Sequence, residues 1–250
     1  MPLKLNADAG ESYGPWVMGQ DEALMPFIDM ANLACGFHAS DPDTLRQSVH
    51  LAAQHQVMIG AHPSYPDLLG FGRRSLNCTP EEITNLMLYQ LGAISAFCQA
   101  ENTQLSYVKP HGALYHDMMR QPQVFAALLE AIHLFDPQLS LVILATGDSA
   151  FYQDKAAARG VNLLLEAFAD RAYLNDGFLA PRSQAGSVYH TREQILAQAR
   201  CLARGESIQS LYGQPLNLQA DLLCVHGDNP ESLATVKALR QLLDSLEAGT

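Results

Sequence analysis

Seven short apolar runs alternate with amphipathic stretches along almost the whole chain, and that alternation limits the folds open to it. The runs cover residues 3–6, 30–34, 57–61, 105–108, 141–145, 163–167 and 222–225. Each is strand-sized, apolar on both faces and bounded by polar or glycine residues, as expected for strands of a parallel sheet covered on both sides. The stretches between them, near 43–55, 81–101, 123–135, 149–159, 191–204 and 231–246, have the spacing of amphipathic helices. Parallel neighbours require crossover connections, so such repeats close into a barrel or form an open doubly wound sheet. A length of 250 residues matches the roughly 250 typical of a β/α barrel. With no Gly/Ser-rich linker or low-complexity tract, residues 1–250 are expected to form a single domain, an irregular β/α barrel of about seven strands. The open sheet is the alternative, because strand count does not show closure.

Several helix starts are marked. Asp41-Pro42, Thr79-Pro80 and Asn229-Pro230 each set a capping side chain before a proline at the first helical position. Thr79 with Glu82 also makes a capping box. The stretch 205–220 fits neither pattern and reads as a small hairpin or an edge excursion.

Composition removes several classes of function. The 15 basic against 26 acidic residues give a net charge of −11, which disfavours nucleic acid and anionic membrane as partners, since both need a basic face. The longest apolar runs, such as 139–145, fall far short of the ~20 residues of a membrane span. The opening Met1-Pro2-Leu3-Lys4 lacks a secretory pattern. Five widely spaced cysteines without a Cys-x-x-Cys pair fit reduced thiols. The chain therefore reads as cytoplasmic.

The informative residues fall at the strand ends. Strand one leads into Asn6, Asp8 and Glu11, and strand two into His38. Strand three ends at His62, strand four at Lys109 and His111. Strand six carries Glu166 and is followed by Asp170 and Arg171; strand seven ends in His226 and Asp228. In parallel α/β folds the carboxyl ends of the strands share one face, where ligands bind. These residues should thus converge from more than 200 residues of sequence. His50, His55, His116, His133 and His190, in or beside helical stretches, are read as structural, and Cys35 and Cys224 as small core residues. Trp16 either lines the mouth or packs.

Asp8, His38 and His62 could bind a divalent metal and lower the pKa of its water, or serve without metal as base, acid and orienting partner. The residues leave both open. The loop 63–74 contains Tyr65, Phe71, Arg73 and Arg74. The two aromatics would help close the site over a small ligand. The two arginines, with Arg171 and Arg182, suit a carboxylate or phosphate. No phosphate loop, dinucleotide-binding turn or nucleophile elbow occurs in the sequence.

Six blocks carry a family resemblance: residues 5–11, 31–39, 60–67, 108–115, 168–173 and 224–228. Together they resemble the LamB/YcsF family, the A subunits of 5-oxoprolinase, from the first strand to the last helix. Ser40 departs from it, where the family often has glycine. The resemblance implies an irregular seven-stranded barrel like that of the glycoside hydrolase/deacetylase superfamily. It implies ATP-dependent opening of 5-oxo-L-proline to L-glutamate, together with B and C subunits; a homo-oligomer stays open. ATP is then held unconventionally here or, as expected from the missing motif, by the partner subunits. In that scheme Arg73, Arg74 or Arg182 holds the substrate carboxylate, while Lys109 and Arg171 neutralise phosphate or oxyanion charge. Asp8, His38 and His62 activate water, and His111, His226 and Asp228 orient them or protonate the leaving nitrogen. The rival functions are a stand-alone metal-dependent amidohydrolase or deacetylase, and a non-catalytic lactam-binding or scaffold subunit.

Overall fold

The computed structural model describes residues 3–225 and 230–248, the side chains of 230–232 excepted. In chain order the elements are β1 (Lys4–Ala9), α1 (Asp21–Leu24), a 3-10 turn (Met25–Phe27), β2 (Met30–Ala34), α2 (Pro42–Gln54), β3 (Met58–His62) and α3 (Pro80–Ala100). They continue with β4 (Leu105–Val108), α4 (Gly112–Arg120), α5 (Pro122–Phe135), β5 (Ser140–Leu144), α6 (Ala150–Ala157) and β6 (Leu163–Phe168). The last are α7 (Arg192–Ala203), β7 (Ile208–Gln209), β8 (Pro215–Leu216), β9 (Leu222–Cys224) and α8 (Pro230–Ala248).

Strands β1 to β6 and β9 pair in sequence order, all parallel, and β9 closes on β1, with Leu5 opposite Leu223. The barrel is closed, which removes the open-sheet alternative. All seven predicted strands are present, with ends shifted by at most a few residues. The stretch 205–220 contains the small antiparallel pair β7–β8. Two elements were not foreseen: α1 with its 3-10 turn, and α4, which starts directly after His111.

The predicted caps form where they are described. The Asp41 carboxylate accepts from the amides of Asp43 and Thr44, and Thr79 and Glu82 make the reciprocal capping box. Asn229 lies outside the described residues. Ser40 sits at φ +73°, a left-handed conformation that glycine adopts without strain.

Side chains alternate across each strand, so every barrel strand feeds two interiors. Leu5, Ala31, Leu33, Ile59, Val108, Leu141, Ile143, Ala167 and Leu223 join one apolar core with the helices. Met30, Tyr107, Val142 and Leu222, with Met58 and Leu164 against them, form a separate cluster. Residues from strands on opposite sides of the barrel can meet only inside it, so this cluster plugs its lower half. Above it the interior turns polar: Asn6, Asn32 and Glu166 are fully buried. Gly60 leaves room for this layer, since a Cβ there would lie 2.1 Å from the Tyr107 ring.

Candidate functional site

The polar layer rises into a cavity of about 450 Å³ at the carboxyl ends of the strands. That volume lies within the roughly 300–1,000 Å³ of small-molecule sites. At its base, the Asp8 carboxylate accepts from Asn32 Nδ2 at 2.8 Å and from Lys109 Nζ at 3.1 Å. Asn32 also donates to Asn6 Oδ1 at 2.8 Å and accepts from the Tyr107 hydroxyl at 2.8 Å, so strands β1, β2 and β4 are tied by one network. Lys109 Nζ further contacts Glu166 at 2.9 Å, Cys224 Sγ at 3.1 Å and Asn6 Oδ1 at 3.3 Å. Tyr115 donates to the other Glu166 oxygen at 3.0 Å. Burial opposes the charge on Lys109, but the Asp8 and Glu166 carboxylates outweigh it and hold the ammonium well above its ordinary pKa. Lys109 is therefore a buried cation among fixed partners, and Cys224 is its neighbour, more than a packing residue.

Beside this network the rings of His38 and His111 stack in parallel with centroids 3.8 Å apart, and His62 stands edge-on to both. Glu11 lies next to them, 3.3 Å from His38 Nε2 and 3.7 Å from His111 Nδ1. Burial, and then a neighbouring histidine, hold the His38 and His111 pKa values well below normal. Four ligand atoms, from Glu11, His38, His62 and His111, lie within 4.8 Å of one another, so this buried group could hold a metal ion. The set differs from the Asp8, His38 and His62 expected from sequence: Glu11 and His111 join it, and Asp8 is engaged through Oδ1 by Lys109 and Asn32, with its Oδ2 3.4 Å from His62 Nε2 at the edge of the group. The loop 63–74 is pressed onto the rings. Gly112 adopts φ +56°, and a Cβ there would lie 2.5 Å from the Gly72 carbonyl, so helix α4 can begin this close to the loop only with glycine.

The cavity lining is also cationic. Arg73, Arg120, Arg171 and Arg182 all line the cavity. Arg171 is buried and anchored, donating to the Ala180 carbonyl at 2.6 Å and the Ser187 carbonyl at 3.2 Å. Burial, and then the nearby Arg182, bring its pKa down to about 10, so it remains a cation at neutral pH. The aromatic rings of Phe71 and Phe168 complete the walls, with the Arg73 guanidinium 5.1 Å from the Phe71 ring centre.

Asp8, Glu11, His62, Lys109, His111, Arg73, Arg171 and Arg182 thus border one cavity, with Asn6, His38 and Glu166 in the buried layer behind them. Asp170 is buried beside Arg171 but off the cavity wall. Two expectations are corrected. Tyr65 is not a lid: it is 1% exposed, and its hydroxyl donates to Asp117 at 3.1 Å inside the core. Arg74 is drawn away by Asp67, whose carboxylate it meets through Nε at 3.0 Å, with its own side chain 64% exposed. His226 and Asp228 lie outside the described residues. Trp16 is 67% exposed and stacks on Tyr13.

Among the cavity residues that escaped the sequence reading are Asp21, His116, Arg120 and Phe168. His116, assigned a structural role, lies on the wall. It and Arg120 are four residues apart on α4, with Gly112 four before, so the spacing would have shown a shared face had α4 been recognised. Asp21 resembles an ordinary first-turn acid of α1. In the fold it is folded back onto β1, where it accepts from the Gly10 amide at 2.8 Å. Burial raises its pKa to about 6, with the Gly10 hydrogen bond opposing and Glu11 adding to the rise.

The comparisons with known proteins agree with this architecture. The family model for LamB/YcsF matches residues 3–249. The 5-oxoprolinase A subunit of Chromohalobacter salexigens is 54% identical over 247 residues, covering 98% of this chain and 99% of that protein. That of Vibrio cholerae is 52% identical over 242 residues, covering 97% and 98%. The crystal structure of a lactam utilization protein from Thermus thermophilus superposes with a TM-score of 0.90 at 43% identity, covering 99% of this chain and 98% of that one. A truncated 3-deoxy-D-arabino-heptulosonate 7-phosphate synthase from Thermotoga maritima, with a TM-score of 0.51 at 8% identity, shares the fold alone. With the barrel, the strand-end residues and the match from residue 3 to residue 249 in agreement, the chain belongs to the LamB/YcsF family.

Proposed function

We propose that this chain is the ring-opening subunit of an ATP-coupled 5-oxoprolinase, which converts 5-oxo-L-proline to L-glutamate with hydrolysis of ATP to ADP and phosphate. The observation that carries the reading is the mixed lining of one cavity: acid and base groups together with four guanidiniums. A small lactam with a carboxylate fits such a lining, its anionic end against arginines and its amide toward Asp8 and the histidines. The relatives' names, as A subunits of 5-oxoprolinase and as a lactam utilization protein, support the same substrate class.

A five-membered lactam is nearly unstrained and its carbonyl is a poor electrophile. Phosphorylation of the carbonyl oxygen by ATP would activate the ring carbon; attack of water and loss of the ring nitrogen would then leave a γ-glutamyl phosphate, which a second water hydrolyses to glutamate and phosphate. The sequence carries no conventional phosphate loop, so the nucleotide is assigned to the partner B and C subunits. Within this chain, Arg171, fixed by two carbonyls, and Arg73 and Arg182 hold carboxylate and phosphoryl charge. Asp8 takes a proton from the attacking water, held in place by Lys109 and Asn32. Lys109, engaged by Asp8 and Glu166, is a positioning residue here. Asp21, with its pKa near 6, is suited to protonate the departing ring nitrogen.

The Glu/His group gives weight to a second reading, a metal-dependent amidohydrolase acting alone. One assay separates the two: glutamate formed from 5-oxoproline with and without ATP, for the isolated chain and for the complex reconstituted with B and C subunits. The expected outcome is turnover only in the complex with ATP, and its loss in Asp8→Ala and His62→Ala while circular dichroism shows both variants still folded. ATP-independent turnover by the chain alone would select the second reading. Near-normal activity of both variants in the complex would reject these residue roles.

A further inference from the structure

The hydrogen bonds around the three clustered histidines indicate which ring nitrogens carry hydrogen. His62 Nδ1 lies 2.6 Å from the Lys109 carbonyl oxygen, which can only accept, so Nδ1 holds the hydrogen and Nε2 is bare. His111 Nε2 donates to the Phe71 carbonyl at 2.8 Å, leaving its Nδ1 bare. His38 Nδ1 is 3.0 Å from Ser64 Oγ, whose own hydrogen goes to the Tyr65 carbonyl at 2.8 Å. With the serine hydrogen on the Tyr65 carbonyl, the hydroxyl accepts from His38 Nδ1 and His38 Nε2 is bare.

The bare nitrogens face one another and Glu11. His62 Nε2 and His111 Nδ1 are 3.0 Å apart, His38 Nε2 is 3.3 Å from Glu11 Oε1, and His111 Nδ1 is 3.7 Å from the same oxygen. Four acceptors thus converge, with Asp8 Oδ2 beside them at 3.4 Å from His62 Nε2, an arrangement that repels itself unless a cation stands among them. A proton shared by His62 and His111 would relieve that one contact and leave His38 Nε2 against Glu11. Metal–ligand bonds of 2.0–2.1 Å in a tetrahedral site put ligand atoms about 3.3–3.4 Å apart; three of the contacts here, at 3.0, 3.3 and 3.7 Å, bracket that spacing, and the whole set lies within 4.8 Å. Each imidazole also has the outer N–H partner that metal-bound histidines use to hold their orientation.

We propose that Glu11, His38, His62 and His111 bind one divalent transition-metal ion, with Asp8 outside the ligand set. Imidazole nitrogen with a single carboxylate suits zinc and its neighbours in the first transition row better than magnesium or calcium. Glu11, His62 and His111 border the cavity, so the ion would be accessible to a ligand held there. The assignment does not depend on which amide the cavity takes.

The test is direct metal binding. The purified chain is stripped with chelator, then titrated with Co2+ and Zn2+ while absorbance and calorimetric heat are followed. The expected result is one equivalent per chain, with the visible absorption of a low-coordinate cobalt site. Glu11→Gln and His111→Ala should weaken binding at least tenfold. Ser64→Ala, which removes only the partner of His38, should weaken it roughly 10- to 100-fold. Asp8→Asn should still bind one equivalent with the same spectrum. Circular dichroism monitors folding; if His111→Ala unfolds, Glu11→Gln and Ser64→Ala decide. Absence of stoichiometric binding by the unaltered chain overturns the proposal. So does a titration in which these variants match the unaltered chain.

Discussion

The barrel strands supply two interiors built on opposite rules. Their outward side chains, among them Leu33, Ile59 and Ile143, pack against the helices in a core made almost wholly of hydrocarbon. Their inward side chains begin as an apolar plug around Met30, Val142 and Leu222 and end in Asn6, Asn32, Asp8, Lys109 and Glu166. The first region stabilises by removing area from water and tolerates volume-conserving exchange. The second buries charge, which is costly unless every group is paired, so its residues constrain one another. The difference shows that the fold rests on the outer core, while the inner layer is kept for its chemistry.

The largest effect is expected from breaking the inner layer at its cation. Lys109→Met leaves the buried Glu166 carboxylate facing no ammonium and should cost about 3–5 kcal/mol in denaturant unfolding, with ring opening lost. Adding Glu166→Gln to it should recover part of that stability and none of the activity. Recovery of activity would show that the pair is structural only. A cavity in the outer core comes next. Ile143→Ala, at a fully buried site, should cost about 2–5 kcal/mol while the folded complex keeps its turnover. A turnover loss as deep as that of Lys109→Met, measured on folded protein, would erase the contrast between the two regions. The smallest effect probes the boundary. Gly60→Ala forces a methyl group toward the Tyr107 ring and should cost about 1–3 kcal/mol, read as a lower melting temperature. Because Tyr107 also donates to Asn32, turnover should fall with it; unchanged kinetics would separate the plug from the polar layer.

The amino-acid sequence determined the strand and helix alternation, the caps at Asp41 and Thr79, and the placement of polar residues at strand ends, because each is a local pattern of a few residues. It could not separate Arg73 from Arg74, adjacent in the chain, because only the fold sets Asp67 beside one of them. It could not tell that Tyr65 points into the core, or that Asp21 folds back onto the Gly10 amide. Closure of the barrel, the meeting of Glu11 with three histidines, and the gathering of four arginines around the same cavity were decided by tertiary structure alone. The physical reason is distance along the chain. Secondary structure follows from neighbours, whereas a site made from six strand ends exists only once the strands are paired in register.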